Sequence, residues 1–142
     1  CYTEFYLPHV DPQSSQHNHP DWILRAANAG CIPPYIKRTD GSVEWLDIGG
    51  IPLGMGIGAQ IGYQEAHVNL SAGDMVILTS DGVAEATTST DELFGFERLE
   101  AAIASAPITS AQAMLEDEKL EIATVEGDVE SYDDITIVVL QV

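Results

Sequence analysis

Two aspartates border strongly apolar segments of this 142-residue chain and could carry chemistry there. Asp81 follows the segment Met75–Thr79 in DMVILTSDGVAEA, and Asp133 opens DDITIVVLQV directly before a second apolar segment. If both segments are strands that pair antiparallel, the end of the first lies beside the start of the second. Such a pairing would bring the two carboxylates to the same edge of a sheet.

Two carboxylates at one edge would repel each other unless a cation lies between them. Hard divalent ions such as Mn²⁺ and Mg²⁺ prefer oxygen ligands of this kind and complete their coordination with water. A plainer interpretation is equally open, in which Asp81 is a turn residue before Gly82 and Asp133 is a cap or turn acid. The residues alone leave both interpretations open, because the pairing of the strands is assumed.

Three other motifs indicate structure rather than chemistry. Asp40 and Gly41 separate two short apolar runs, which predicts a tight hairpin turn. The glycine-rich segment 49–62 lacks the G-x-G-x-x-G spacing and precedes a strand-like run, so we expect a mobile loop or close backbone packing instead of a phosphate-binding loop. His17 and His19 form an H-x-H pair that could chelate zinc, but no third ligand lies nearby in the sequence.

The elements that must position the aspartates follow from the spacing of apolar residues. About seven strand-like runs precede two helical segments, and one last strand ends the chain. A run of strands followed by a run of helices predicts an α+β fold with a mostly antiparallel sheet. Two helices can cover only one face of such a sheet, so a second covering layer would have to come from outside these residues.

Both predicted helices have recognisable limits. Pro107 ends the first helix, and Ser110 is a suitable N-cap for the second. The apolar residues at helical spacing, which we expect in the core, are Phe96, Leu99, Ile103, Met114, Leu115 and Ile122.

Composition narrows the classes of partner. With 23 acidic and 5 basic residues the net charge is −18, which disfavours nucleic acid and anionic membranes and favours cations. Nine of the acids lie between Glu116 and Asp134, where a solvated helix face and an acidic loop are the ordinary explanation. No apolar run reaches the roughly 18 to 20 residues of a membrane span. Two cysteines without metal-ligand spacing fit a reducing cytoplasm, so a cytoplasmic location is expected.

Five motifs in order link the chain to a known family. They are NAGCIPP, DGSVEWLDIGGIPLG, AGDMVILTSDGVAEA, LFGFERL and DDITIVVLQV. Together, from about Trp22 to Val142, they resemble the C-terminal half of PPM-type phosphatases of the stage II sporulation protein E family. Because the chain begins with Cys1 in a strand-like run, residues 1–142 are expected to be the C-terminal portion of a single phosphatase domain cut from a longer protein.

The resemblance implies a four-layer α-β-β-α sandwich with a two-metal site for Mn²⁺ or Mg²⁺ at one edge. It implies a hydrolase that removes phosphate from phosphoserine or phosphothreonine with metal-activated water. Asp81 and Asp133 match the catalytic metal ligands, Asp134 matches a supporting position, and Gly82 lets the backbone approach the site. No covalent intermediate is implied, and no histidine is placed in the sequence to activate Ser80 as a nucleophile. The implied substrate is an anti-anti-sigma-type regulator in bacterial sigma factor signalling.

Two departures from the family pattern qualify this interpretation. The N-terminal half, with the Asp-Gly pair that bridges the metals, has no counterpart here, so the chain should be inactive alone. Its uncovered sheet should favour dimerisation or other association. Cys31 lies where related sequences most often carry His, and we expect a buried apolar cysteine there rather than a ligand for a further metal. A non-catalytic, phosphatase-like binding module remains the alternative function.

Overall fold

Two antiparallel sheets form the framework of the computed structural model, which describes residues 2–6, 22–87, 92–117 and 134–142. The strands are β1 (Tyr2–Tyr6), β2 (Trp22–Ala27), β3 (Tyr35–Lys37), β4 (Val43–Trp45), β5 (Glu65–Leu70), β6 (Met75–Thr79) and β7 (Ile137–Gln141). One sheet has the order β1-β2-β5, and the other has the order β4-β3-β6-β7. The predicted antiparallel α+β architecture is confirmed, with six strands before the longest helix in the described residues where about seven were expected.

Four helical segments accompany the sheets in the described part of the chain. They are α1 (Gly58–Ile61), α2 (Asp81–Glu85), α3 (Gly95–Ser105) and α4 (111–117). The sequence predicted α3 and α4 but neither of the two short helices. Ser110 caps α4 as expected, because its Oγ accepts a 3.0 Å hydrogen bond from the backbone N–H of Ala113.

The two sheets pack against each other through a small apolar cluster. Its fully buried members are Leu24, Ile36, Leu70 and Val76, which come from β2, β3, β5 and β6. On β6, Met75 and Ile77 point the other way and are also buried. The continuous apolar run of β6 therefore reflects burial on both faces, as its sequence predicted.

The helices cover the other face of the four-stranded sheet. Leu99 and Ile103 of α3 and Met114 of α4 pack with Met75 and Ile77 in the larger apolar cluster of the protein. This arrangement gives three layers: sheet, sheet and helices. No helix of the described residues is long and apolar enough to cross a bilayer.

The outer face of the three-stranded sheet is polar along β5. Glu65, His67 and Asn69 are exposed there at alternate positions, and Arg25 of β2 forms a 2.6 Å ion pair with Glu65. Hydrogen bonds from Arg25 hold the pKa of the Glu65 carboxyl below its usual value. Association through this face stays a prediction.

Two buried charged residues, Asp74 and Lys37, join the four-stranded sheet to a neighbouring turn and to α3. The Asp74 carboxylate accepts hydrogen bonds from Arg38 Nη1 at 2.9 Å, from Thr39 N at 3.1 Å and from Ser71 N at 3.0 Å. It thereby ties the end of β3 to the turn between β5 and β6. Lys37 is 1% exposed, and its ammonium group donates hydrogen bonds to backbone carbonyls at the C-terminal end of α3.

Turn chemistry agrees with the sequence at two places. Gly41 adopts φ 88° and its N–H donates to the carbonyl of Arg38 at 2.9 Å, which confirms the hairpin turn between β3 and β4. In the glycine-rich segment, a Cβ atom at Gly50 would lie 1.9 Å from the carbonyl oxygen of Asn28. Close backbone packing is therefore confirmed at Gly50, since any side chain there would force the backbone apart.

Candidate active site

The candidate site lies at the C-terminal end of β6, beside the start of β7. The two strands pair antiparallel, with Thr79 opposite Ile137, and the N–H of Ser80 extends the ladder by donating to the carbonyl of Thr136 at 2.9 Å. The strand pairing that the sequence argument assumed is thus confirmed. Asp133 itself lies outside the described residues, as do His17 and His19.

Asp81 is the first residue of α2, so the chain passes from strand to helix at this position. Gly82, Val83 and Ala84 are buried and anchor the short helix, whereas the Asp81 side chain is exposed. Its Oδ1 accepts a long, 3.2 Å hydrogen bond from the N–H of Gly82. Since an ionised carboxylate has about four lone-pair sites, Asp81 keeps acceptor capacity for a cation. The pair Asp81-Gly82 is a helix start and not a turn.

Ser80 joins the end of β6 to the segment that enters β7. Its Oγ donates to the carbonyl of Asp134 at 3.0 Å and accepts from the N–H of Thr136 at 2.9 Å. The hydroxyl therefore connects the end of β6 to the backbone of residues 134–136. The side chain of Asp134 is exposed at the same end of the sheet.

A pocket of about 700 Å³ opens beside Asp81. It lies between the loop after β2, the end of β4, the end of β6 and the start of α3. Its described lining residues are Gly30, Cys31, Ile32, Pro33, Trp45, Thr79, Ser80, Asp81 and Phe96. The volume is within the range of about 300 to 1,000 Å³ that is usual for ligand sites.

Cys31 is exposed at this pocket, so the expectation of a buried cysteine was wrong. The cause is the loop around Asn28. The Asn28 amide donates to the carbonyls of Cys31 at 2.7 Å and Ile48 at 3.0 Å, and its oxygen accepts from the N–H of Cys31 at 2.8 Å. These bonds hold the loop at the pocket, outside the apolar clusters.

Phe96 also departs from its predicted place in the core, because its side chain is 49% exposed. Its ring contacts Trp45 edge to face at a centroid distance of 5.8 Å, and Trp45 contacts Tyr35 in the same manner at 4.9 Å. Trp45 belongs to β4, which lies at the edge of its sheet in the described residues, and the Phe96 ring stays half-exposed beside it. Sequence reasoning missed Trp45, because the alternating apolar pattern of its short strand gave no sign of a pocket.

The metal-ligand chemistry of the site rests on oxygen donors. Asp81 presents an exposed carboxylate at the pocket, which fits one side of a site for Mn²⁺ or Mg²⁺. No group of three or more histidine, cysteine, aspartate or glutamate side chains comes together within residues 2–6, 22–87, 92–117 and 134–142. The described residues therefore hold no complete ligand set for a metal ion.

Known proteins resemble this chain in sequence and in fold. The family model described as stage II sporulation protein E matches residues 14–142. The SiaA-PP2C domain of Pseudomonas aeruginosa has a similar structure, with a TM-score of 0.70 and 24% identity over 84% of this chain and 46% of that one. No curated protein sequence matches the chain significantly.

Two structures of SpoIIE from Bacillus subtilis are also similar. Its PP2C phosphatase domain with a fragment of the regulatory domain gives a TM-score of 0.70 and 20% identity over 84% of this chain and 34% of that one. Its phosphatase domain presoaked with Mn gives 0.66 and 18% over 99% and 56%. The chain spans less than half of the SiaA structure and of the first SpoIIE structure. These likenesses show a partial PP2C-type fold, which confirms the predicted sandwich class.

Proposed function

Because the chain belongs to the stage II sporulation protein E family, we propose that it forms the C-terminal portion of a single phosphatase domain that hydrolyses phosphoserine or phosphothreonine in proteins. The observation that carries the proposal is the place of Asp81. Its exposed carboxylate borders the pocket at the end of β6, next to the strand that follows Asp133. The function requires a divalent metal at this edge.

In this proposal Asp81 and Asp133 hold Mn²⁺ or Mg²⁺, and Asp134 supports them. The buried Gly82, which has no Cβ, leaves room for the backbone to approach the site. When bound, a pair of such ions activates a water molecule and neutralises phosphoryl oxygens. The Mn-presoaked relative is in keeping with the choice of metal.

The residues around Asp81 hold the proposed metal ligands in place. Val83 and Ala84 bury one side of α2, so the short helix and Asp81 at its start are held against the core. Ser80 ties the end of β6 to the backbone of residues 134–136 through both its N–H and its hydroxyl. Fixed positions of this kind lower the cost of bringing metal, water and phosphate together.

The proposed substrate is a phosphorylated regulator of the anti-anti-sigma type, acting in the bacterial cytoplasm. Family membership supports this choice. The charge of −18 disfavours nucleic acid as a substrate, because it would repel the phosphates of a nucleic-acid backbone.

Asp81→Asn in the complete phosphatase domain tests the proposal. The substitution keeps the shape of the side chain and removes its charge, so Mn²⁺-dependent phosphate release from a phosphoserine protein should fall roughly 100-fold or more. Mn²⁺ affinity, measured by titration calorimetry in the same samples, should fall as well.

Asp47→Asn is the matched control, because Asp47 is an exposed carboxylate outside the pocket. It should retain both activity and metal affinity. Undiminished activity of Asp81→Asn would refute the role of Asp81. A wild-type domain that binds the phosphoprotein without hydrolysing it would favour the non-catalytic binding module.

A further inference from the structure

Two half-exposed aromatic rings form one wall of the pocket beside Asp81. Trp45 is 40% exposed and Phe96 is 49% exposed, and both line the pocket. Large aromatic side chains bury much apolar area when a partner covers them, and they dominate the energetics of many interfaces. This aromatic wall therefore has exposed apolar surface on which an apolar group could pack.

The wall is fixed in place before any ligand arrives. Trp45 lies on β4 and Phe96 on the first turn of α3, and their rings meet edge to face. Behind them the ring of Tyr35 is 1% exposed and supports Trp45 from β3. A ligand would meet a preorganised surface, which reduces the entropy lost on binding.

The rest of the described lining is mostly uncharged. Ile32 and Pro33 add apolar surface to the lining, and Asp81 is the one charged residue among the described lining residues. With metal at Asp81, the pocket would offer a cationic end for a phosphoryl group and an apolar end beside it. An acidic side chain would gain nothing from the apolar end in a protein of net charge −18.

The size of the pocket and its continuity with Asp81 indicate the occupant. A volume of about 700 Å³ is more than a phosphoryl group alone requires and suits a short peptide segment. Any segment with its phosphate at Asp81 brings neighbouring side chains to the aromatic wall. We propose that Trp45 and Phe96 bind an apolar side chain that flanks the phosphorylated residue of the substrate, an inference that rests on the proposed phosphatase function.

Phosphoserine peptides test this specificity in the complete domain. The peptides are identical except that one of the three positions on either side of phosphoserine carries Leu or Gly. At the position that reaches the wall, Leu should raise kcat/KM about tenfold over Gly, the effect of one good apolar contact. Binding of labelled peptides that carry a non-hydrolysable phosphonate in place of the phosphate, measured by fluorescence anisotropy on the wild-type domain with Mn²⁺, gives the preference without turnover.

Phe96→Ala and Trp45→Ala should reduce the Leu-to-Gly ratio from about ten to near one. Ile108→Ala is the matched control, since Ile108 is also 40% exposed but does not line the pocket, and it should keep the ratio. Thermal melting checks folding. Because Trp45 also packs on Tyr35, Phe96→Ala carries the test if Trp45→Ala fails to fold.

The possible results distinguish failure of the aromatic wall from failure of the phosphatase function. Hydrolysis without a preference for Leu, or with a preference that both variants keep, overturns the aromatic wall as a specificity element and leaves the phosphatase function standing. A Leu preference in binding that the variants lose, without hydrolysis by the wild-type domain, supports the wall and refutes catalysis. Neither binding nor hydrolysis of any peptide overturns both.

Discussion

Replacing Lys37 by Met should destabilise the protein strongly. The Lys37 ammonium group donates to the carbonyls of Ile103 at 2.5 Å, Ala104 at 3.0 Å and Ala106 at 2.5 Å. These carbonyls end α3, where helix carbonyls lack intrahelical partners and the helix dipole favours a positive charge. Met would fill the space of the aliphatic stem but leave the three carbonyls without this donor.

The expected loss follows from the burial of the group. Hydrogen bonds to a charged group contribute about 1.5–3 kcal/mol each, so three of them sum to about 4.5–9 kcal/mol, a large share of the roughly 5–15 kcal/mol by which a folded domain is stable. Burying the ammonium has its own desolvation cost, which offsets part of that sum. Leaving a buried carbonyl without its donor typically costs about 1–3 kcal/mol, so with these carbonyls affected together we expect a loss in unfolding free energy of about 3–5 kcal/mol.

Urea unfolding of the complete domain measures the effect. At an m-value of about 3 kcal/mol/M, a loss of 3 kcal/mol or more lowers the unfolding midpoint by at least about 1 M. Arg98→Met is the matched control on the same helix, because Arg98 pairs with Glu92 at 3.3 Å and their side chains are 48% and 67% exposed. That surface pair should contribute less than about 1 kcal/mol. A Lys37→Met midpoint equal to that of Arg98→Met would refute the capping role.

Two further predictions concern the site and its aromatic wall. Ser80→Ala removes the hydroxyl that joins Asp134 and Thr136, so Mn²⁺ affinity measured by titration calorimetry should fall about tenfold. Ser80→Thr keeps a hydroxyl and should restore the affinity. Equal affinity in all three proteins would contradict the positioning role. Burial, with a smaller effect of the Glu100 charge, raises the pKa of Tyr35 to about 12. The unfolded chain releases this proton near pH 10 while the folded one retains it, so stability should fall from about pH 10 to about 12. Tyr35→Phe should lack this component and be as stable as wild type at pH 7, because the buried Tyr35 hydroxyl has no hydrogen-bond partner in the described structure. The assignment would be refuted if the melting temperatures of the two proteins differed by the same amount at every pH in this range.

Local patterns predicted several features correctly because short-range physics decides them. The continuous apolar run of β6 required burial on both faces, and Val76 lies between the sheets while Met75 and Ile77 face the helices. Asp40 and Gly41 required a turn because glycine adopts a positive φ without strain. The pairing of β6 with β7 needed only that two apolar strands of opposite direction meet, and the structure confirms it.

Other features had no local signal. The spacing of Phe96 on α3 correctly indicated a helix, but its place beside Trp45 depends on a strand that is distant in sequence. Cys31 is exposed because Asn28 bonds to both Cys31 and Ile48, which brings two loops together. Lys37 would be assigned to the surface by its residue type, and only the end of α3, about 66 residues later in the chain, makes its burial favourable.

The sequence by itself determined the strands, the two longer helices, the hairpin turn and the order of motifs that identifies the family. Each depends on residues close together in the chain or on a pattern that can be matched directly. The tertiary structure alone decided which side chains share the pocket with Asp81, because Cys31, Trp45 and Phe96 come from three separate elements. It also decided which polar groups are buried, since a charge such as that of Lys37 is stable inside only where distant backbone carbonyls receive it.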